Sequence, residues 1–267
     1  MYELYFLWQY LDNKTLLNAV HVDHHNSKTI KGVLLNRCPL TLWTGQVLIS
    51  GGYLGALQQL GSSLPFDSWS YTLASKHGHL DILKHVCLVR GPAWNQLQCV
   101  QYASRYGHTN ILEYLLQSGC RLVLNVQTSR TVCENGHLDA LLFLIESGCP
   151  LDYYCCNWAA MRGHVEILKC LRDHGCPWNT YTCASAAYSG NLNVLKWLRS
   201  QDPPCPWDRS TTNYAIINGH DDILKWTQAQ TPKCDVDTKL ISKLGLKDKL
   251  RRLKLYITSS ETERKLL

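Results

Sequence analysis

Methionine and phenylalanine are scarce in this sequence, with two and three residues among 267, whereas tryptophan and tyrosine number nine and fourteen. Long apolar runs are also missing, because no stretch approaches the roughly 18 residues that a membrane-spanning helix requires. We therefore expect no transmembrane segment. The composition, 45% hydrophobic and 18% charged, is typical of a folded chain rather than of a disordered one.

The N-terminal residues lack the features of a secretory signal. Residues 1–14 contain an apolar patch, Tyr5 to Trp8, but they include Glu3 and have no basic region before the patch and no small-residue cleavage site. The thirteen cysteines are an odd number and form no Cys-X-X-Cys pair. We therefore expect an intracellular protein, cytoplasmic or nuclear, whose cysteines are reduced and pack as small apolar side chains.

Signatures of catalysis are missing as well, since the chain has no glycine-rich phosphate loop, no Gly-X-Ser-X-Gly elbow and no His-Glu-X-X-His helix. Two groups could bind a metal by spacing alone: Cys170, His174, Cys176 and Cys183 in one, and His21, His24 and His25 in the other. Packing is the better interpretation of both, because Cys176 recurs at a fixed repeat phase and the three histidines lie in a degenerate first repeat. We expect no enzymatic activity, no cofactor and no bound metal.

The chain consists instead of a repeated unit, marked by a glycine or its substitute at a regular interval. The marks fall at Asn26, Gly52, Gly78, Gly107, Gly136, Gly163, Gly190 and Gly219, which gives intervals of 26 to 29 residues. Histidine follows five of them, at His79, His108, His137, His164 and His220. Periods of this length indicate stacked supersecondary units. We count about eight repeats over residues 15–234.

Each unit has the pattern of two short helices. The first ends in small residues before the glycine, which suits a left-handed helix cap. The second carries an apolar stripe such as Ile167, Leu168 and Leu171, with a charged residue such as Lys169 predicted to face solvent. A cysteine turn follows, and an Asp or Asn such as Asn179 is positioned to cap the next helix.

This arrangement resembles the ankyrin repeat, above all in the stretch RYGHTNILEYLLQSGC at residues 105–120. The Thr-Pro-Leu-His stretch of that family is missing, and its 33-residue period is shortened to 26–29 residues. The resemblance implies an all-α, ankyrin-type helical solenoid of about eight helix-turn-helix repeats with little or no β-hairpin. Shortened arrays with Cys-Pro-Trp turns look like those multiplied in giant DNA viruses and in some protists.

The two ends fall outside the repeat pattern. We interpret residues 1–14 as an N-terminal cap and residues 235–267 as a basic capping helix and tail. Residues 233–267 hold ten Lys or Arg and five Asp or Glu. That charge also leaves open binding to nucleic acid or to an anionic surface, or a nuclear import signal.

The resemblance implies binding of a partner protein on the concave face, where the first helices vary while the scaffold repeats. The candidate contact residues are Trp69, Tyr71, Gln98, Arg130, Tyr153, Tyr154, Asn157, Tyr181, Arg209 and Asn213. Tyrosine-rich variation on a rigid surface is typical of protein recognition. An alternative is a substrate adaptor for a ubiquitin ligase, although neither end of the chain looks like an F-box. The recurring Trp178 and Trp207 are interpreted as packing between units.

Overall fold

The computed structural model describes residues 42–60, 63–91 and 95–237, and these residues form fourteen α-helices and no strand. The helices are α1 (Leu42–Ser50), α2 (Leu54–Leu60), α3 (Ser68–His77), α4 (Leu80–Arg90), α5 (Gln96–Tyr106), α6 (Thr109–Gln117), α7 (Val126–Asn135), α8 (Leu138–Glu146), α9 (Tyr153–Arg162), α10 (Val165–Asp173), α11 (Thr180–Tyr188), α12 (Leu192–Ser200), α13 (Arg209–Asn218) and α14 (Asp221–Ala229). The all-α prediction is confirmed over the described ranges. None of these helices is long and apolar enough to cross a membrane.

The helices pack in the order of the chain, as a helical repeat requires. They fall into two compact units, one ending at Val123 and the other starting at Leu124. In the first unit α3 lies between α1 and α5, and in the second α9 and α11 lie between α7 and α13. Each odd-numbered helix also contacts the even-numbered helix that follows it. We call the odd-numbered helices first helices and the even-numbered ones second helices.

The predicted capping residues of the first helices are confirmed by their backbone conformation and hydrogen bonds. Gly78, Gly107, Gly136, Gly163 and Gly219 cap first helices in the left-handed conformation. Asp67, Asp152, Asn179 and Asp208 cap the starts of first helices, where each side chain accepts a hydrogen bond from a main-chain N–H. Such a cap stabilises a helix by about 1 kcal/mol. The local sequence therefore sets the bounds of these first helices.

The core is built from the predicted apolar stripes of the second helices. Ile167, Leu168 and Leu171 of α10 are buried, while Lys169 between them is exposed. The stripes of α4, α6 and α12 are buried in the same way. Small residues such as Ala159 and Ala160 are fully buried in the first helices, where they allow close approach of neighbouring helices.

Several sequence predictions lie outside the described residues. They include the N-terminal cap at residues 1–14, the first repeat with His21, His24 and His25, and the basic segment from residue 238 onward. These stay predictions. The repeat-phase cysteines of the described part, Cys120, Cys149, Cys176, Cys205 and Cys234, are buried free thiols, as expected from their recurrence.

Candidate interaction surface

The predicted contact residues of the second unit lie on its first helices. Tyr153 and Tyr154 open α9, directly after the capping residue Asp152, and Tyr181 occupies the second position of α11 after Asn179. Each tyrosine therefore follows a cap that fixes the start of its helix. The exposed fractions of these residues are 37% for Tyr153, 42% for Tyr154 and 58% for Tyr181.

The three tyrosines border an open depression of about 390 Å³ between α9 and α11. Its lining consists of Tyr153, Tyr154, Asn157, Trp158, Met161, Asn179, Tyr181 and Ser185. Aromatic groups and a thioether make part of its lining apolar, and amide and hydroxyl groups supply hydrogen-bonding capacity. These eight residues include no carboxylate, imidazole or thiol, and their hydroxyl groups are those of the three tyrosines and Ser185.

Arg130, from α7, forms the base of an aromatic stack beside the depression. Its guanidinium carbon lies 4.5 Å from the centre of the Tyr154 ring, and that ring lies 4.3 Å from the Tyr153 ring. Arg130 Nε also lies 3.1 and 3.2 Å from the two carboxylate oxygens of Asp152. The ion pair holds the cation in place and neutralises it, so this end of the surface carries little net charge.

The same contacts shift the acid–base behaviour of the groups involved. Partial burial tends to raise the pKa of the Asp152 carboxyl, but the hydrogen bonds and charge of Arg130 outweigh it and lower that pKa from 3.8. A hydrogen bond shared with Tyr154 raises the pKa of the Tyr153 phenol. Tyr153 therefore remains neutral and Asp152 remains ionised at neutral pH.

Asn157 is less accessible than the sequence predicted. Its side chain is 8% exposed, and its Oδ1 accepts a 2.7 Å hydrogen bond from Thr182 Oγ1 on the neighbouring helix α11. It is nevertheless one of the residues that line the depression. Its hydrogen bond with Thr182 connects α9 to α11, the two helices on either side of the depression.

The predicted contact residues of the first unit divide between surface and core. Trp69 is half-buried against Tyr102, with the ring centres 6.1 Å apart. Gln98 is also half-buried, and its Oε1 lies 3.4 Å from Thr72 Oγ1. The prediction that Tyr71 is a contact residue is wrong. Tyr71 is 2% exposed, and its hydroxyl donates a 2.7 Å hydrogen bond to the main-chain oxygen of Gly91. Because its side chain is buried and satisfied, Tyr71 is a core residue.

The last two predicted residues lie on α13, away from the depression lining. Arg209 is exposed at the first position of that helix. Asn213 is half-buried, and its buried Oδ1 has no hydrogen-bond partner among the described residues. Neither is brought together with the tyrosines.

Four lining residues were not singled out from the sequence: Trp158, Met161, Asn179 and Ser185. Helical spacing from the tyrosines identifies two of them, since Trp158 and Met161 follow Tyr154 by four and seven residues on one helix face. Asn179 was identified only as a cap. Which face of α11 approaches α9 depends on packing between repeats, and this explains why Ser185 was missed.

The recurring histidines and tryptophans serve the scaffold. The Nε2 atoms of four of these histidines lie 3.0–3.3 Å from main-chain oxygens in the first helix of the preceding repeat; the four are His79, His108, His164 and His220. Trp178 and Trp207 pack edge-to-face on Trp197 and Trp226, and each also stacks with an arginine. The packing interpretation of the two turn tryptophans is therefore confirmed.

Within the described ranges no three His, Cys, Asp or Glu side chains come together in an arrangement that could hold a metal ion. Cys170 and His174 are neighbours one turn apart, and His174 Nδ1 lies 2.8 Å from the main-chain oxygen of Cys170. A scan against protein-family models finds no match, and a search of curated proteins finds no significantly similar sequence.

Proposed function

We propose that this chain is a non-catalytic protein-binding scaffold, an ankyrin-type solenoid that holds a partner protein on the concave face predicted for its first helices. The observation that carries the proposal is the exposed group formed by Tyr153, Tyr154 and Tyr181 around the depression between α9 and α11. We call these three side chains the tyrosine group.

The repeat pattern of the helices supports the proposal that the chain is a solenoid. Paired short helices, left-handed glycine caps, and a histidine or asparagine after most of them recur at 26 to 29 residues, and neighbouring first helices pack in chain order. These are the features on which the ankyrin resemblance depends. A stack of this kind supplies a rigid surface, because within each unit a first helix packs against the second helix of its own repeat and against the first helix of the next repeat.

The chemistry of the surface supports protein binding. Tyrosine and tryptophan bring large contact area with few rotatable bonds, and they are enriched among residues that dominate binding energy. Two of the three tyrosines are ordered before binding, since Tyr153 and Tyr154 stack on each other and on Arg130. Pre-ordered side chains lose less entropy on association.

The same surface is poorly equipped for catalysis. The depression is open, and its lining lacks carboxylates, imidazoles and thiols. An enzyme site usually buries most of a small substrate and converges several polar groups on it. The depression instead suits side chains projecting from a partner.

The test compares captured partners of three purified proteins. One is wild type, one carries Tyr153→Ala, Tyr154→Ala and Tyr181→Ala, and one is a control with Leu142→Ala, Lys169→Ala and Lys196→Ala on exposed positions of second helices. Each is immobilised, exposed to cell extract, and the retained proteins are quantified by mass spectrometry. We expect a partner retained by wild type and control and lost from the tyrosine variant.

Direct titration of the recovered partner then gives the affinities. Truncation of three interface tyrosines should weaken Kd by at least about tenfold, with circular dichroism and melting unchanged. Equal retention by the tyrosine variant would place the binding face elsewhere. Turnover of a small molecule by the wild-type protein would overturn the non-catalytic assignment.

A further inference from the structure

Two buried thiols meet between α9 and the turn that leads to α11. Cys156 lies on α9, Cys176 lies in the turn, and their sulfur atoms are 3.7 Å apart. Their exposed fractions are 0% and 2%. The Cys156 thiol donates toward the Cys176 sulfur, and the Cys176 thiol donates to the main-chain oxygen of Asp152 at 3.2 Å.

The position of Cys156 recurs, four residues after the cap of each first helix in the second unit. The residues there are Ser129, Cys156, Cys183 and Thr212, and the turn cysteines that follow are Cys149, Cys176, Cys205 and Cys234. Ser129 Oγ lies 3.0 Å from the Cys149 sulfur. A hydroxyl therefore makes the same kind of contact with a turn cysteine, and packing alone does not require a thiol at position 156.

A second thiol adds one reaction that a hydroxyl cannot perform. We propose that Cys156 and Cys176 are a preformed dithiol that closes to a disulfide when the protein is exposed to a peroxide. This site is independent of the proposed partner binding.

The reaction balances in two steps. One sulfur attacks the peroxide, the O–O bond breaks, and that cysteine becomes a sulfenic acid as one water leaves. The second sulfur then attacks the first, the S–S bond forms, the S–O bond breaks, and a second water leaves. Two thiols are oxidised and one peroxide is reduced to two waters.

The geometry assigns the order of these steps. The Cys176 sulfur accepts the hydrogen bond of the Cys156 thiol and lies in the turn, whereas Cys156 lies within α9, so we assign Cys176 as the sulfur that meets the peroxide first and Cys156 as the resolving thiol. A disulfide has an S–S length of about 2 Å, so the two sulfurs must approach by roughly 1.7 Å. Cys176 can supply that movement because it lies in a turn outside any helix.

The product would link α9 to the segment that caps α11 and so join two successive repeats. Because both sulfurs are buried, oxidation requires transient opening of the turn and should be slow compared with that of an exposed thiol. Cross-linking of the native pair would then raise the melting temperature.

The test uses reduced full-length protein treated with hydrogen peroxide under native conditions. Remaining thiols are alkylated after denaturation, and the digest is mapped by mass spectrometry. We expect a linked peptide pair, Cys156 with Cys176, lighter by two hydrogen atoms, and a melting temperature several degrees above that of the reduced protein.

Three variants make the assignment specific. Cys156→Ser should fold, since Ser129 occupies the same position, and should give neither the link nor the rise in melting temperature. Cys183→Ser removes the equivalent pair of the next repeat, in which Cys183 shares a hydrogen bond with Cys205, and Cys155→Ser removes a neighbouring thiol on α9. Both variants should retain the link between Cys156 and Cys176. Cys155 matters because it shares a hydrogen bond with Cys133 and could compete.

Three results would overturn the proposal. They are a link between Cys133 and Cys155 in place of the predicted one, sulfinic acid on Cys156 or Cys176, and recovery of both thiols unmodified after prolonged treatment. A rise in melting temperature that persists in Cys156→Ser would also count against it.

Discussion

The Nε2 atom of His164 lies 3.1 Å from the main-chain oxygen of Glu134, which belongs to the preceding repeat. Glu134 is two residues before the cap Gly136, in the last turn of α7, where main-chain carbonyls lack helical partners. Asn191 occupies the equivalent position one repeat later, and its Nδ2 lies 3.1 and 2.8 Å from the oxygens of Ala160 and Met161. His164 and Asn191 directly precede the second helices α10 and α12. A side-chain N–H thus joins the start of each of these two helices to the repeat before it.

Replacing His164 tests this link. His164→Ala leaves the Glu134 carbonyl without its partner and should lower the free energy of unfolding by about 1–2 kcal/mol. His164→Asn should lower it much less, because Asn191 makes the corresponding contact. Urea unfolding followed by circular dichroism measures both. Equal losses from Ala and Asn would show that the hydrogen bond contributes little.

Gly136 offers a second test, because the cost of its positive φ can be measured separately from the cost of a clash with His164. A Cβ on Gly136 would lie 2.6 Å from Cε1 of His164, whereas a Cβ on Gly148 would meet nothing within 4 Å. Both glycines have φ +79°. Gly148→Ala should therefore cost about 1 kcal/mol from backbone strain alone, and Gly136→Ala roughly 2–3 kcal/mol.

The double variant Gly136→Ala with His164→Ala isolates the steric part. Its loss in unfolding free energy should be smaller than the sum of the two single losses, because removal of the imidazole also removes the clash. Strict additivity would contradict a direct contact between the two residues. Gly148→Ala with His164→Ala is the matched pair and should be additive.

The ion pair of Asp152 and Arg130 makes stability depend on pH in the acid range. The folded-state pKa of Asp152 is lowered from 3.8, mainly through Arg130 acting against partial burial. A carboxylate with a lowered pKa contributes stability that is complete above its ordinary pKa and is lost as the pH falls through the folded value. Asp152→Asn keeps a capping side chain, as Asn125 and Asn179 do, but removes the charge.

We expect wild type to exceed Asp152→Asn by about 1 kcal/mol of unfolding free energy at pH 7, with the difference shrinking below about pH 4. Unfolding titrations across this range at low salt measure it. A difference that is constant down to pH 2 would assign the loss to capping geometry rather than to charge. Arg130→Met removes the other partner of the ion pair and should abolish the same pH dependence of the unfolding free energy.

Tyr71 shows where sequence reasoning placed a residue on the wrong side of a helix. It lies four residues after the cap Asp67, the register that Ser129, Cys156 and Cys183 occupy in later repeats, and all four are buried. Variation between repeats at this register predicts a contact position, but here the varying residues are all directed into the core. The Tyr71 hydroxyl finds the Gly91 oxygen, a contact twenty residues away that no local pattern specifies.

Neighbouring residues along the chain are enough to predict the local structure of this protein. Glycine at positive φ, Asp or Asn at a helix start and apolar stripes act within one or two turns of helix, so helix bounds and the buried faces of second helices could be predicted from neighbouring residues. Tertiary structure decided which side chains from different repeats meet. The approach of α9 to α11 creates the depression beside Tyr153 and Tyr181, and the path of the turn brings Cys176 to Cys156. These contacts depend on the distance and rotation between successive helices, which are set by close packing of many side chains together rather than by any one segment.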